Sequence, residues 1–247
     1  MSYSIRVKMK TEKLSIKDIN EIIDKLRIKN WRIMFHTTKG LGKDLDITNL
    51  KNIEEYINEF IKQKIFNVFE IENHIECMLS LTKDNKDYKW VKPNEIYFDI
   101  SIPDAYLRFF DDIELNKNYE EDKRITEKSV SKFLKVLKVI YETLKPEYGW
   151  GDNELNMYDR GFDYMDVTKP ILIYSREIVE KIGRSKVATA PVKRKVKLSD
   201  GGYILLTENI GHYTPEVRDK IGKHLFGEKW NVQLILDRHR KLFKNEK

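Results

Sequence analysis

The feature that most constrains the fold is a change of hydrophobic period along the chain. Over residues 1–10, Tyr3, Ile5, Val7 and Met9 alternate with Ser4, Arg6, Lys8 and Lys10, the rhythm of a half-buried strand. From Ile16 the apolar residues fall at Ile16, Ile19, Ile22, Ile23 and Leu26, one face of a helix, behind Ser15 and Asp18 in capping positions. Trp31, Ile33 and Phe35 return to period two. Residues 37–46 read as a polar loop, and residues 49–64 as a second helix with Leu50, Ile53, Ile57, Phe60 and Ile61 on one face. Apolar segments at 66–71, 75–81 and 96–102 follow as strands, with a polar hairpin loop at 83–89. This order predicts an α+β fold, a mainly antiparallel sheet with amphipathic helices packed on one face.

Residues 111–122 are acidic and poor in apolar side chains. They suggest a single α+β domain over 1–247 made of two similar sub-layers, 1–110 and 126–247, joined by an acidic loop at 111–125. A helix over 126–144 carries the stripe Val130, Phe133, Leu134, Leu137, Ile140, Tyr141 and Leu144, and Pro146 stops it. Tyr148-Gly149-Trp150-Gly151-Asp152-Asn153 reads as an aromatic, glycine-rich loop. A short helix over 175–182 ends at Gly183. Val192, Val196 and Leu198 then alternate with Lys193, Lys195 and Lys197 into a hairpin turn at Ser199-Asp200-Gly201-Gly202, and 203–207 is the returning strand. Thr214 caps the next helix and Pro215 takes its first position. Val217, Ile221 and Leu225 form its stripe, Gly227 ends it, and a last helix covers 230–243.

Composition narrows the function. Lys and Arg number 46 against 40 Asp and Glu, so the net charge is 46 − 40 = +6, and there is one cysteine. A single cysteine excludes a disulfide framework and an intrachain thiolate zinc site. No apolar run approaches the ~18 residues of a membrane span, and charges interrupt the first segment where a signal peptide would be apolar. The chain therefore reads as a soluble, cytoplasmic protein without membrane association.

No catalytic motif emerges. Gly40-Leu41-Gly42-Lys43 sits where a phosphate loop belongs, but Thr37 stands where a Walker loop needs glycine and Asp44 where it needs Ser or Thr. Pro103-Asp104 with Glu121-Asp122-Lys123 has the letters of a metal-dependent nuclease. Residues 118–124, however, are wholly polar and read as a loop rather than the rigid buried strand that chemistry needs. His36, His74, His212, His224 and His239 make no metal-ligand spacing, and His74 with Cys77 supplies too few ligands for zinc. His239 falls on an apolar helical stripe and Cys77 in an apolar strand. No serine occupies a nucleophile elbow. The reading is non-enzymatic, with no cofactor and no metal.

Two surfaces remain. Tyr148 and Trp150 are favoured interface anchors, and Asp152 and Glu154 would steer a basic protein partner. The competing account is that Trp150 plugs the core. Lys193, Arg194, Lys195 and Lys197, with Arg238 and Arg240 in the basic stretch 238–247, are the alternative, a nucleic-acid surface. Lysines on an edge strand and basic residues at a helix end are also ordinary structural devices.

Residues 133–227 resemble the α+β immunity proteins of bacterial polymorphic-toxin and contact-dependent systems. The matching parts are a helix ending in Leu144-Lys145-Pro146-Glu147-Tyr148-Gly149-Trp150, Tyr174 as the aromatic before a short helix, Glu180-Lys181-Ile182-Gly183 and Ala190-Pro191. The turn Asp200-Gly201-Gly202, the strand Tyr203-Ile204-Leu205-Leu206 and a helix ending at Leu225-Phe226-Gly227 complete the series. The resemblance implies a defence-associated protein that binds a cognate toxin and blocks it. It transfers no binding residues.

Overall fold

A computed structural model describes residues 4–11, 15–26, 30–32, 36–37, 40–41, 67–71, 75–83, 96–103, 119–153, 163–208 and 214–244. The strands are β1 (Ser4–Thr11), β2 (Asn30–Arg32), β3 (His36–Thr37), β4 (Gly40–Leu41), β5 (Asn67–Ile71), β6 (Ile75–Lys83), β7 (Ile96–Pro103), β8 (Tyr148–Asn153), β9 (Ile171–Tyr174), β10 (Arg194–Lys197) and β11 (Tyr203–Leu206). The helices are α1 (Ile16–Leu26), α2 (Tyr119–Leu144), α3 (Arg176–Ile182), α4 (Arg184–Thr189), α5 (Pro215–Phe226) and α6 (Val232–Lys244). Nine strands form one antiparallel sheet in the order β10-β11-β9-β8-β1-β7-β6-β5-β2, and β3 and β4 form a separate two-stranded ladder. The expected helix at 49–64 and loop at 83–89 fall outside the described residues, apart from Lys83, the last residue of β6.

The sheet is the expected antiparallel α+β layer. On one face Val7, Met9, Phe98, Ile100, Ile171, Ile173 and Ile204 are buried. Arg194, on this face by register with Leu206, donates its Nη1 to Ser131 Oγ of α2 at 2.5 Å. The α2 stripe of Phe133, Leu134, Leu137 and Ile140 is buried with it. The first helix starts with a reciprocal capping box. Asp18 N–H donates to Ser15 Oγ (3.2 Å) and Ser15 N–H to Asp18 Oδ2 (2.8 Å). Helices cover both faces rather than the one face expected, because the C-terminal helices add a layer on the opposite face, where Leu172, Tyr174 and Leu205 cluster with Val179, Ile182, Val187, Ile221, Leu225 and Trp230.

Further toward β7 that same face turns polar. Lys8 Nζ lies 2.6 Å from Asp99 Oδ1, both side chains at most 2% exposed, and Lys169 Nζ lies 2.9 Å from Asp152 Oδ2. Arg6, Ser101, Tyr97 and Trp150 are buried beside them.

Two expectations are corrected. Helix α2 begins at Tyr119, so 119–125 are helical rather than part of an acidic loop. Glu120 and Glu121 suit the positive end of a helix dipole, and Arg124 ties back to Glu121 at 2.6 Å. The second correction is the glycine-rich loop. It is β8, an interior strand between β1 and β9. Its period two is masked because Gly149 and Gly151 occupy the face toward α2. A Cβ on Gly149 would stand 2.6 Å from the Lys8 carbonyl oxygen, and one on Gly151 2.7 Å from Val7 Cγ2. The flanking side chains of Met9, Ile173 and Val7 fill the space a side chain would take.

Candidate functional site

A cleft of about 440 Å³ opens where α2 hands over to β8. Leu144, Lys145, Pro146 and Glu147 form one wall, with Tyr141 from α2 and Thr11 from β1. Ser175, Arg176 and Glu177 at the start of α3 and Asp200 in the β10–β11 turn form the other.

The handover is forced by two adjacent residues. Lys145 adopts φ 46°, ending α2 in the left-handed region while its N–H still donates to the Tyr141 carbonyl at 2.7 Å. Pro146 then blocks any further helical turn. Replacing Lys145 with glycine relieves that strain, and a gain of about 1 kcal/mol is expected, read as a rise in Tm of about 2–4 °C. An unchanged Tm would show the backbone bears no strain there. Glu147 is anchored on β1 twice, through its N–H to the Lys10 carbonyl (2.9 Å) and through its carboxylate to Lys10 Nζ (3.0 Å).

Asp200 is held on both oxygens. Oδ2 accepts the Tyr141 hydroxyl at 2.9 Å and Oδ1 accepts the Gly202 N–H at 2.9 Å. Burial, and then the bond to Asp200 and its charge, push the Tyr141 hydroxyl well above its ordinary range, so it stays protonated and keeps donating. Gly202 is required by close approach. A Cβ there would lie 2.6 Å from the Tyr174 carbonyl oxygen and 2.7 Å from the Tyr141 hydroxyl. The cleft therefore has an apolar floor of Tyr141, Leu144 and Pro146 under a rim of fixed charge. It suits a guest with an apolar stem and a polar tip.

The sequence-chosen anchors lie beside this cleft rather than in it. Tyr148 is partly buried, with Lys10 Nζ 5.6 Å from its ring centre and the Tyr97 hydroxyl 3.2 Å from its own. Trp150 is 1% exposed and packs edge-on against Tyr97 at 5.8 Å and 82°. Asp152 is ion-paired to Lys169, and Glu154 lies outside the described residues. Thus β8 brings Tyr148, Trp150 and Asp152 onto one sheet face, with Trp150 as core. Tyr141, Lys145, Glu147, Glu177 and Asp200 were missed as a group. No sequence signal grouped them, because they come from separate segments that only the fold brings together.

The basic candidates are engaged within the chain. Arg194 reaches Ser131, and Lys195 Nζ donates to the carbonyls of Ala188 (2.8 Å) and Ala190 (3.0 Å) at the end of α4. Arg238 pairs with Asp163 and lies 5.9 Å from the Tyr164 ring centre, and Arg240 pairs with Asp237 at 3.1 Å. Lys193 and Lys197 are exposed. Glu121, Asp122 and Lys123 lie on the first turns of α2, not on a loop or a buried strand, and Asp104 falls outside the described residues. Gly40-Leu41 forms a two-residue strand against His36-Thr37. His224 Nε2 sits 3.1 Å from Thr189 Oγ1 and 3.0 Å from the Lys186 carbonyl. His74, His212 and the His239 side chain lie outside the described set, and Cys77 pairs with Phe69 across β5 and β6. Among the described residues, no group of three or more His, Cys, Asp or Glu converges as for a metal ion, and no helix is long and apolar enough to cross a membrane.

No family model matches the chain. No curated protein matches it either. Among solved structures, the Pseudomonas aeruginosa T6SS protein PA0821 superimposes with a TM-score of 0.46 at 11% identity, covering 91% of this chain and 73% of that one. So distant a likeness carries no argument about function.

Proposed function

We propose that this chain is a binding protein of the immunity or defence type, which occludes a cognate protein partner, in the cytoplasm, by docking with the cleft end of its sheet. One observation carries the reading. Of the separate segments that resemble immunity proteins, Leu144–Glu147 and Asp200 line a single cleft, and Tyr174 lies beside it with its carbonyl against Gly202. Two of its charged residues are fixed in place by neighbours, Asp200 between Tyr141 and Gly202 and Glu147 on Lys10. Fixed groups lose little entropy on binding, which favours recognition.

The reading expects a toxin gene beside this chain's own, and the test is co-expression of the chain with that neighbour's product. Growth should be rescued, and the two proteins should elute together as one complex. The double charge reversal Lys145→Glu/Glu177→Lys, with both side chains on the cleft wall, should weaken the complex at least about tenfold while leaving Tm within a few degrees. Failure of the wild-type chain to rescue growth or form a complex would end the proposal. The nucleic-acid alternative has weaker support, because Arg238 and Arg240 are already paired with the carboxylates of Asp163 and Asp237.

A further inference from the structure

The β10 strand closes one end of the nine-stranded sheet and has β11 as its one hydrogen-bonded neighbour among the described residues. Which of its amides face outward follows from two bonds. Leu198 N–H donates to the Gly202 carbonyl at 2.9 Å, whereas Thr207 N–H turns the other way, to the Pro170 carbonyl at 2.9 Å. Backbone groups alternate in direction along an antiparallel strand. In β11, therefore, 204 and 206 point to β10, where they meet their register partners Val196 and Arg194. The N–H and C=O of Lys195 and Lys197 then face away from β11, on an edge that no described strand pairs.

The side chains on this edge are strongly basic and divided between the two sheet faces. Arg194 lies on the α2 face, at Ser131, while Lys195 lies on the other, at the end of α4, with Lys197 exposed on that same side. Among the described residues, Arg194 and Lys195 bond only neutral acceptors, a hydroxyl and carbonyls, so their positive charge is undiminished. A nucleic-acid backbone lying on one face would meet at most two of these three charges. A strand added in the plane of the sheet sends its own side chains to both faces alternately and meets all three.

We infer that β10 is a docking edge for an acidic, extended segment of a partner protein, which joins the sheet as a tenth strand. Lysines that keep ordinary strands off an edge become selective for a strand carrying carboxylates at the facing positions. Backbone pairing supplies attachment, and the alternating charges supply register and choice. The inference deepens the docking reading above and rests on it for the nature of the partner. The β10–β11 turn carries Asp200, so the edge and the cleft belong to one continuous surface.

The probe is a capped peptide of threonine and glutamate, about eight residues long, with glutamates at both odd and even positions so that carboxylates reach both sheet faces, titrated into the full-length chain at low salt. Binding should protect the Lys195 and Lys197 amides from hydrogen exchange and should exceed that of the threonine–lysine counterpart at least about tenfold. Lys197→Pro and Lys197→Ala separate backbone from charge. Both remove the ammonium, but only proline removes the outward N–H, and proline is tolerated on an edge. The proline variant should bind about tenfold more weakly than the alanine variant at similar Tm. Equal binding by the two variants, no protection at Lys195 and Lys197, or tighter binding of a duplex DNA or RNA oligomer than of the peptide would overturn the inference. In the co-expression assay, rescue by Lys197→Pro as complete as by wild type would sink the docking edge and leave the broader reading standing. Absence of rescue by wild type would sink the broader reading itself.

Discussion

Asp99→Ala is expected to bring the protein close to unfolding, at a cost of about 3–5 kcal/mol out of a typical total of about 5–15. The variant removes the carboxylate 2.6 Å from the Lys8 ammonium, at a point where both side chains are almost wholly excluded from water. Buried without that carboxylate, the ammonium keeps its desolvation penalty and loses the attraction that offset it. The pair itself contributes much less than this, so Lys8→Met/Asp99→Leu should recover most of the loss. A single variant within about 1 kcal/mol of wild type would show that the Lys8 ammonium does not depend on Asp99.

The same pair sets a pH signature. Burial lowers the Lys8 pKa from 10.5, and the charge and hydrogen bond of Asp99 partly restore it. A lowered lysine pKa means that the folded state binds fewer protons than the unfolded one between the two values. Stability from this group therefore climbs as pH rises from the lowered pKa toward 10.5. Without Asp99 the folded pKa falls further, and the climb starts at lower pH. The Asp99→Ala penalty should thus be greatest at neutral pH and shrink on raising the pH, as urea midpoints would record. A penalty that grows with pH would contradict this account.

Gly222→Ala is the second large effect, and its sign depends on Trp230. The indole lies flat against α5, so a Cβ on Gly222 would meet ring atoms at 2.1–2.4 Å. The indole cannot slide freely, because its Nε1 donates to the Met165 carbonyl at 3.0 Å and the ring is 1% exposed. Alanine is worth up to about 1 kcal/mol over glycine inside a helix, but overpacking costs about 1–3 and a displaced buried tryptophan more. A net loss of about 3 kcal/mol is expected, lowering Tm by about 6–12 °C. In a Trp230→Ala background the obstruction is gone, and Gly222→Ala should stabilise, by about 1 kcal/mol or less. Destabilisation of the same size in both backgrounds would show that the contact is not the cause.

The sequence disclosed the elements whose pattern is local. The capping box at Ser15, the α2 stripe from Val130 to Leu144, the Gly183 stop and the Asp200-Gly201-Gly202 turn were legible because caps, stripes and turns use neighbouring residues. Strand β8 was not, because glycines occupy the positions whose apolar side chains would have marked its period. The start of α2 was missed because its first turns are held by charge rather than by an apolar face. The cleft was invisible for another reason. Tyr141, Glu147, Glu177 and Asp200 come from different segments, and only the sheet register and the α2 handover bring them together. Tyr148 and Trp150 stood out as aromatics in glycine-rich sequence, but pattern alone does not tell a buried indole from an exposed one.

Strand β1 is hydrogen-bonded to β7 on one side and β8 on the other, partners some ninety and more than a hundred and forty residues further along the chain. On a ribosome β1 has no described sheet neighbour until β7 is translated, and it keeps one edge bare until β8 follows. Chaperone dependence of the nascent chain should be concentrated in that interval.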